Sequence, residues 1–360
     1  MNAPALLKGS SIRLAALAEP DEARRIEAFV ADHPDATPFH RPAWMRAVAQ
    51  GTGQRGWALL DERGGEIVAC LPLCEVHSPI FGRVLAASGF AVDGGLLLAE
   101  GAGGDPAPMF AAARELAERL SCPAIERRGG ALPPPGAGWT LRTQSHCGFV
   151  ADLAADDEAQ LLAVPRKQRA EVRRSLSGDL TVTTGTGPAE RAAHYAVYAE
   201  SVRNLGTPVF PRALFDAVLD GFGGDADILT VHHRDRPVAS VLSLYHRGAV
   251  MPYWGGGTRE ARRLRANERM YYALMLHARR RGCARFDFGR SKTGSGAYHY
   301  KRNWGFAPRP LTYAVWTAPG CEARDADPSS ARHRVGIAAW QRLPLAVANR
   351  LGPLIARGLG

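Results

Sequence analysis

The sequence predicts an α/β protein of two domains, and three observations carry that prediction. The chain has 360 residues with 46% hydrophobic content, enough for two ordinary cores. Short runs with apolar alternation are interleaved with runs whose apolar residues recur every three or four positions, so strands and helices mix along the chain. A loop-forming cluster, GGALPPPGAGWT at 129–140, cannot continue either element and precedes the division between the halves.

The first half reads as helix, turn, helix and then strands. Asp21–Val30 is a helix with acids in its first turn, where the helix dipole favours them. From Thr37 a turn feeds a second helix that ends near Gly51. Strands follow at Gly56–Leu60, at Glu66–Leu73 after the turn Arg63-Gly64-Gly65, and at Arg83–Ala87. Pro108–Leu120 has helical periodicity and Ala124–Arg127 is a short strand. The second half predicts a basic helix over 158–177, a helix from Pro188 to Leu205 and a third through Phe215–Phe222. A meander comes next: Asp227–His232, Val238–Tyr245, a turn at His246-Arg247-Gly248, and Ala249–Trp254. An arginine-rich loop, GGGTREARRLRAN, leads to the helix MYYALMLHARRRG. Strand Ala284–Phe288, a glycine-rich loop and strand Pro310–Trp316 complete the series. The expected division is 1–155, 156–320 and a tail, 321–360.

A formal charge of +10, supplied almost wholly by arginine, favours anionic partners. Six cysteines make no disulfide framework in a chain this long. Cys70 and Cys74 have no second ligand pair at zinc spacing, and His232-His233 suits a strand edge, so no metal site is expected. This cysteine usage suits a reducing cytosol. No signal-type apolar segment opens the chain and no run of about 18 apolar residues occurs, which predicts a cytoplasmic protein, at most peripheral on the inner membrane.

A meander passing into strand–loop–helix–strand–helix–strand is the element order of the GNAT acyltransferase fold. Four stretches go further: PFHRPAWM, RKQRAEVRRS, RPVASVLSLYHRGAVMPYWGGG and, most specific, FDFGRSKTGSGAYHYKRNWGF at 286–306. Together they resemble the FemAB-like proteins, and more narrowly the FemAB-related proteins found with bacterial exosortase/PEP-CTERM and exopolysaccharide systems. The resemblance spans roughly residues 10 to 318. It implies tandem GNAT-like α/β domains with mixed central sheets. The first would frame the acceptor, an envelope or polysaccharide precursor; the second would bind the donor. No tightly bound cofactor is implied; the donor is acyl-CoA or aminoacyl-tRNA. One departure bears on that choice. Acetyl-CoA-binding GNAT enzymes usually carry a glycine pair before the central helix, where this chain reads RRLRANERM. That argues against acetyl-CoA and for a charged tRNA.

The candidate chemistry gathers in the last motif. Asp287 lies between Phe286 and Phe288 on a strand, so alternation points it away from the face that buries them. It either orients an amine or pairs with Arg290; the alternative is a loop-capping carboxylate. GRSKTGSG at 289–296 has three glycines and offers Arg290, Ser291 and Lys292 to a substrate phosphate. If a helix begins near Gly296, Tyr298 and Lys301 share a face. Acyl transfer needs a donor beside the developing oxyanion and a group to protonate the leaving atom. By resemblance to the FemAB-type transferases Lys301 takes donor binding and oxyanion stabilisation, and Tyr298 or Tyr300 a proton-donor or positioning role. Against this, Lys301 could snorkel to solvent over a core holding Trp304 and Phe306.

The helix 164–178 carries Arg166, Arg169 and Arg173 on one face with Lys167 and Arg174 beside them. Glu171 is the one acid between 166 and 174. Such stripes are commonly solvated; unrelieved like charge also suits a phosphate-bearing partner. Arg263 and Arg265 are further phosphate candidates, Asn267 a helix cap, and Tyr253 part of a cleft floor or ordinary core. His40 and Arg41 belong to the acceptor side or to a turn. The tail, 332–360, has five arginines, no acids, and apolar residues at helical spacing. It predicts a basic amphipathic segment that docks on anionic lipid or packs on the second domain. The expected reaction is direct attack of an acceptor amine or hydroxyl on the donor carbonyl, with no covalent enzyme intermediate and no metal. The competing reading is a non-catalytic adaptor that binds a glycan or lipid carrier.

Overall fold

The structure, a computed structural model, describes residues 11–100, 104–136, 138–321 and 331–360. In chain order the elements are β1 (Ile12–Leu14), α1 (Pro20–Asp32), α2 (Pro42–Thr52), β2 (Arg55–Arg63), β3 (Glu66–Ser78), β4 (Gly82–Ala87), β5 (Leu97–Leu98), α3 (Ala107–Arg119), β6 (Ala124–Arg128) and β7 (Trp139–Asp152). Then come α4 (Asp157–Ala163), α5 (Arg166–Leu176), β8 (Leu180–Gly185), α6 (Pro188–Leu205), α7 (Arg212–Phe222), β9 (Ala226–His233), β10 (Arg236–His246) and β11 (Ala249–Gly257). The chain closes with α8 (Arg259–Leu264), α9 (Ala266–Arg280), β12 (Arg285–Lys292), α10 (Gly296–Asn303), β13 (Arg309–Thr317), α11 (Ala331–Arg342) and α12 (Leu345–Ala356).

Contacts divide the chain into two compact units, the first 1–143, 312–326 and 354–360, the second 144–311 and 327–353. The division is interleaved where the sequence reading is consecutive. The cause is β13, expected as the last strand of the second domain: its residues Tyr313–Thr317 pair antiparallel with Arg128–Ala124 of β6 in the first unit. Residues 322–330, the start of the expected tail, lie outside the described residues.

In the first unit β1, β2, β3 and β4 form an antiparallel run; β4 then pairs parallel with β6, and β5 adds to β3. Leu59, Leu71, Leu85, Phe110 and Leu116 fill one face of this mixed sheet. The second unit holds a mixed sheet in the order β7-β12-β11-β10-β9-β8. β11 and β12 are parallel and the other neighbours antiparallel. α9 packs on it through Met270, Leu274, Met275 and Ala278, all buried against Phe286, Val241 and Val250.

Local chemistry explains where elements depart from expectation. The basic helix expected over 158–177 is two helices, because Pro165 holds Val164 extended (ψ 132°) and starts α5 afresh. Four strands escape the pattern reading, the short β1 and β5 and the longer β7 and β8. β7 is exposed from Thr140 to Gln144, and β8 (LTVTTG) buries little beyond Leu180. Both form because a neighbouring strand offers a ladder, which a half-exposed Thr-rich segment accepts. The arginine-rich segment before the central helix is itself helical, and α9 begins at Ala266. Its cap is Arg265 in the left-handed region (φ 57°), not Asn267, which sits one residue inside the first turn.

Phe286 is fully buried in the second unit's core. Phe286→Ala is expected to destabilise that unit by about 3–5 kcal/mol, read as a shifted urea transition by tryptophan fluorescence and circular dichroism.

Candidate active site

The site grows from a strand pair that parts. β11 and β12 pair only at Ala249↔Arg285 and Val250↔Phe286, after which β11 runs on to Gly257 without β12 in register. A cavity of about 550 Å³ lies at that far end, lined by Gly255, Gly256 and Gly257 of β11, Asn267 and Tyr271 of α9, Tyr300 of α10, and residues of α6, α8 and α11. The glycines are there for space. A Cβ on Gly256 would come to 2.3 Å from the Ser201 hydroxyl, and one on Gly257 to 2.6 Å from both the Ala261 Cβ and Asn267 Oδ1. The Asn267 Oδ1 is buried at the start of α9 with no hydrogen-bond partner among the described residues. An amide oxygen left this way is an acceptor held ready for a ligand's N–H or O–H. The Tyr300 hydroxyl lies 3.4 Å from Glu268 Oε1, and burial first, then Glu268, holds its pKa well above the ordinary value. Burial likewise pushes Tyr271 up to about 12. Both phenols therefore stay protonated and act as donors.

Behind Tyr300 sits Lys301. Ser295 caps α10, its Oγ accepting the Tyr298 N–H at 3.2 Å. The Lys301 Nζ donates to the Arg290 carbonyl oxygen at 2.8 Å and lies 5.4 Å from the ring centres of Phe149 and Phe288. Burial lowers its pKa to about 8; Asp287 opposes that shift and Arg290 adds to it. The strand beneath is bulged. Phe288 and Gly289 stand where β7 offers only Phe149, and Gly289 (φ 68°) turns so that its N–H reaches Asp287 Oδ1 at 2.8 Å. The bulge aims the Arg290 carbonyl at the lysine. The Ser291 hydroxyl is buried on the same strand without a partner among the described residues.

The structure thus brings Lys301, Asp287, Arg290, Ser291 and Tyr298 into one neighbourhood, with Tyr298 edge-on to Phe149 at 5.6 Å. It places Tyr300 in the cavity wall and Lys301 outside it. The stretch expected as a loop from 289 is strand as far as Lys292, and only 293–295 turn. Lys292 is exposed at the strand end; Tyr253 packs on Trp254. Arg166 and Arg173 are exposed on α5, while Arg169 donates to the Leu162 carbonyl at 3.0 Å. Arg265 is spent on Glu171 and Arg263 pairs with Glu260 at 3.1 Å, so neither faces the cavity. The sequence reading missed Tyr271 and Ser201; a tyrosine one turn beyond Asn267 is the signal that could have found the first.

In the first unit His40 and Arg41 are each held by local partners. Arg41 pairs with Glu27 at 2.6 Å. His40 is 1% exposed; its Nδ1 accepts the Thr37 N–H at 3.0 Å and its Nε2 lies 3.0 Å from the Gly95 carbonyl. Nδ1 as acceptor fixes a neutral ring whose Nε2–H donates. Among the described residues no cluster of three or more His, Cys, Asp or Glu could hold a metal ion, and no helix is long and apolar enough to cross a membrane.

Comparison with known proteins agrees with the fold. Residues 164–302 match a family model described as an acetyltransferase (GNAT) domain. No curated protein matches. Among solved structures, the crystal structure of FemX is similar at TM-score 0.65 and 14% identity over 81% of this chain and 95% of that one. A tandem GNAT protein from the clavulanic acid biosynthesis pathway aligns at TM-score 0.57 and 14% identity, covering 86% and 100%. L-PGS from Bacillus licheniformis aligns at TM-score 0.54 and 13% identity, covering 90% and 96%. The chain has a mixed α/β fold with a GNAT-type domain, similar to tandem GNAT proteins.

Burial lowers His40 from 6.5 to about 4. Between those values the unfolded chain binds a proton that the folded one refuses, so stability is full above pH 6.5 and falls as pH drops toward 4. His40→Gln, which keeps a donor for Gly95, is expected to flatten the melting-temperature profile across that window. An unchanged slope would reassign the acid sensitivity to other groups.

Proposed function

We propose that the protein is an acyl- or aminoacyltransferase of the GNAT fold, acting on a cell-envelope or exopolysaccharide precursor. The carrying observation is the cavity at the parted strands, walled by two protonated tyrosines and an Asn267 oxygen without a partner among the described residues, with the half-buried Lys301 on the next residue of α10. The donor carbonyl lies in the cavity and the acceptor amine or hydroxyl attacks it directly. The bond to the leaving oxygen or sulfur breaks, and the acceptor's proton passes to that leaving atom. Tyr271 donates to the developing oxyanion, or Tyr300 does so by giving up its 3.4 Å bond to Glu268, and the Lys301 ammonium supplies positive charge from a water-poor position. Asp287 partly offsets the burial that weakens that ammonium. The donor is phosphate-bearing, acyl-CoA or aminoacyl-tRNA. The missing glycine pair before α9 and the exposed Arg166 and Arg173 favour the tRNA. The narrower resemblance would link the acceptor to an exosortase or exopolysaccharide system.

One observation favours a second reading, an adaptor that binds a glycan or carrier without turnover: Lys301 lies outside the cavity wall and already donates to a carbonyl. Kinetics separate the two. Lys301→Met is expected to leave the fold intact by circular dichroism and lower kcat/KM by about 10²–10³-fold. In the native protein, transfer should decline as pH rises through about 8, where the amine loses its proton. Normal turnover by the Met variant with the true substrate removes the catalytic assignment. A second test addresses the donor. Arg166→Ala/Arg173→Ala should weaken tRNA binding and reduce the slope of log affinity against log salt by about 1.5–2. An unchanged slope excludes α5 as the polyanion contact.

A further inference from the structure

The last helix is inside out. α12 buries Ala348, Gly352 and Ala356 and presents large apolar residues to solvent: Val347 is 41% exposed, Leu351 42% and Leu354 60%. The inward face is small by necessity, since a Cβ on Gly352 would stand 3.0 Å from the Val209 backbone nitrogen. The helix start is pinned through α11. The Gln341 Nε2 donates to the Asn204 carbonyl at 3.1 Å and the Gln341 carbonyl accepts from Arg203 at 3.1 Å, both at the end of α6. Leu205, beside that anchor, is 69% exposed. At 100° per residue Val347, Arg350, Leu351 and Leu354 share one face, and exposed Arg342 and Arg357 stand near its two ends. From 331 to 360 there are five arginines and no acid.

From this placement we infer that α12 is a docking surface for an anionic lipid bilayer. Leucine and valine would enter the acyl boundary while the arginines meet headgroup phosphates. Charge selects this occupant. A second copy seated on the same face would bring Arg350 against its own counterpart, with no acidic side chain on the segment to relieve it. One short helix with three apolar side chains gives weak, reversible attachment. The inference is independent of the transferase reading, because lipid binding is measured without turnover.

The test is co-sedimentation of the full chain with vesicles of phosphatidylcholine alone or mixed with phosphatidylglycerol. Binding is expected only with phosphatidylglycerol. Val347→Asp/Leu351→Asp should abolish it at an unchanged melting temperature. Arg342→Gln/Arg350→Gln should weaken it about thirtyfold, at about 1 kcal/mol per arginine. Three results overturn the inference: no binding to phosphatidylglycerol vesicles, binding that survives the aspartate pair, or a dimer in ultracentrifugation that the aspartate pair dissolves while lipid binding is absent. A protein whose binding fails here but whose turnover depends on Lys301 would keep the catalytic reading and lose this one.

Discussion

The second unit depends on one ladder that stops early. Two parallel strands that stay paired leave no room between them, whereas β11 and β12 share only two register positions before parting. Everything near the cavity answers that separation. Two of three successive glycines keep β11 close to α6, α8 and α9: a side chain on Gly256 would strike Ser201, and one on Gly257 would strike Ala261 and Asn267. On the other strand β12 gains its second partner in β7, whose polar residues give the reading by hydrophobic pattern little to find. The bulge in that pairing turns a strand that would otherwise alternate regularly. It places a carbonyl under Lys301 and a carboxylate within electrostatic reach.

Burying an amine costs free energy unless something favours its charged form. Around Lys301 the compensation is partial: a carbonyl at 2.8 Å, two aromatic faces and Asp287, set against desolvation and the nearby Arg290. The outcome is a lysine whose pKa falls to about 8. The bond to the Arg290 carbonyl satisfies an acceptor turned out by the bulge, so the position is both structurally used and electrostatically perturbed. Perturbed groups of this kind concentrate where chemistry is done. The phenol of Tyr300, not the amine, lines the cavity, so in the proposed reaction oxyanion contact falls first to the tyrosines.

How much was legible in the sequence follows from what each residue answers to. The meander, α6, α9 and α10 carry their own periodicity, and Ser295 marks the start of α10 by its chemistry. The break before α5 went unread although its signal, Pro165, is local. β13 was legible as a strand but not as a partner of β6, because strand pairing across about 190 residues leaves no local trace. In the site, Lys301 and Tyr300 stood out within one motif. Tyr271 and Ser201 did not, because what makes them wall residues is the departure of β12 from β11. His40 stood open between the acceptor side and a turn, because nothing in the sequence shows that both of its ring nitrogens meet backbone partners.

The basic helix α5 shows why counting charges is not enough. Its one acid between 166 and 174, Glu171, is not a diluent of positive charge. It accepts from Arg174 at 2.7 Å and from Arg265, the residue that caps α9 in a left-handed conformation. An arginine pays a conformational cost at that φ, and a carboxylate that fixes its guanidinium helps hold it there. The start of α9, which carries Asn267, is therefore tied to α5 by an ion pair about a third exposed at each end. Arg166 and Arg173 lie on the same short helix as Glu171.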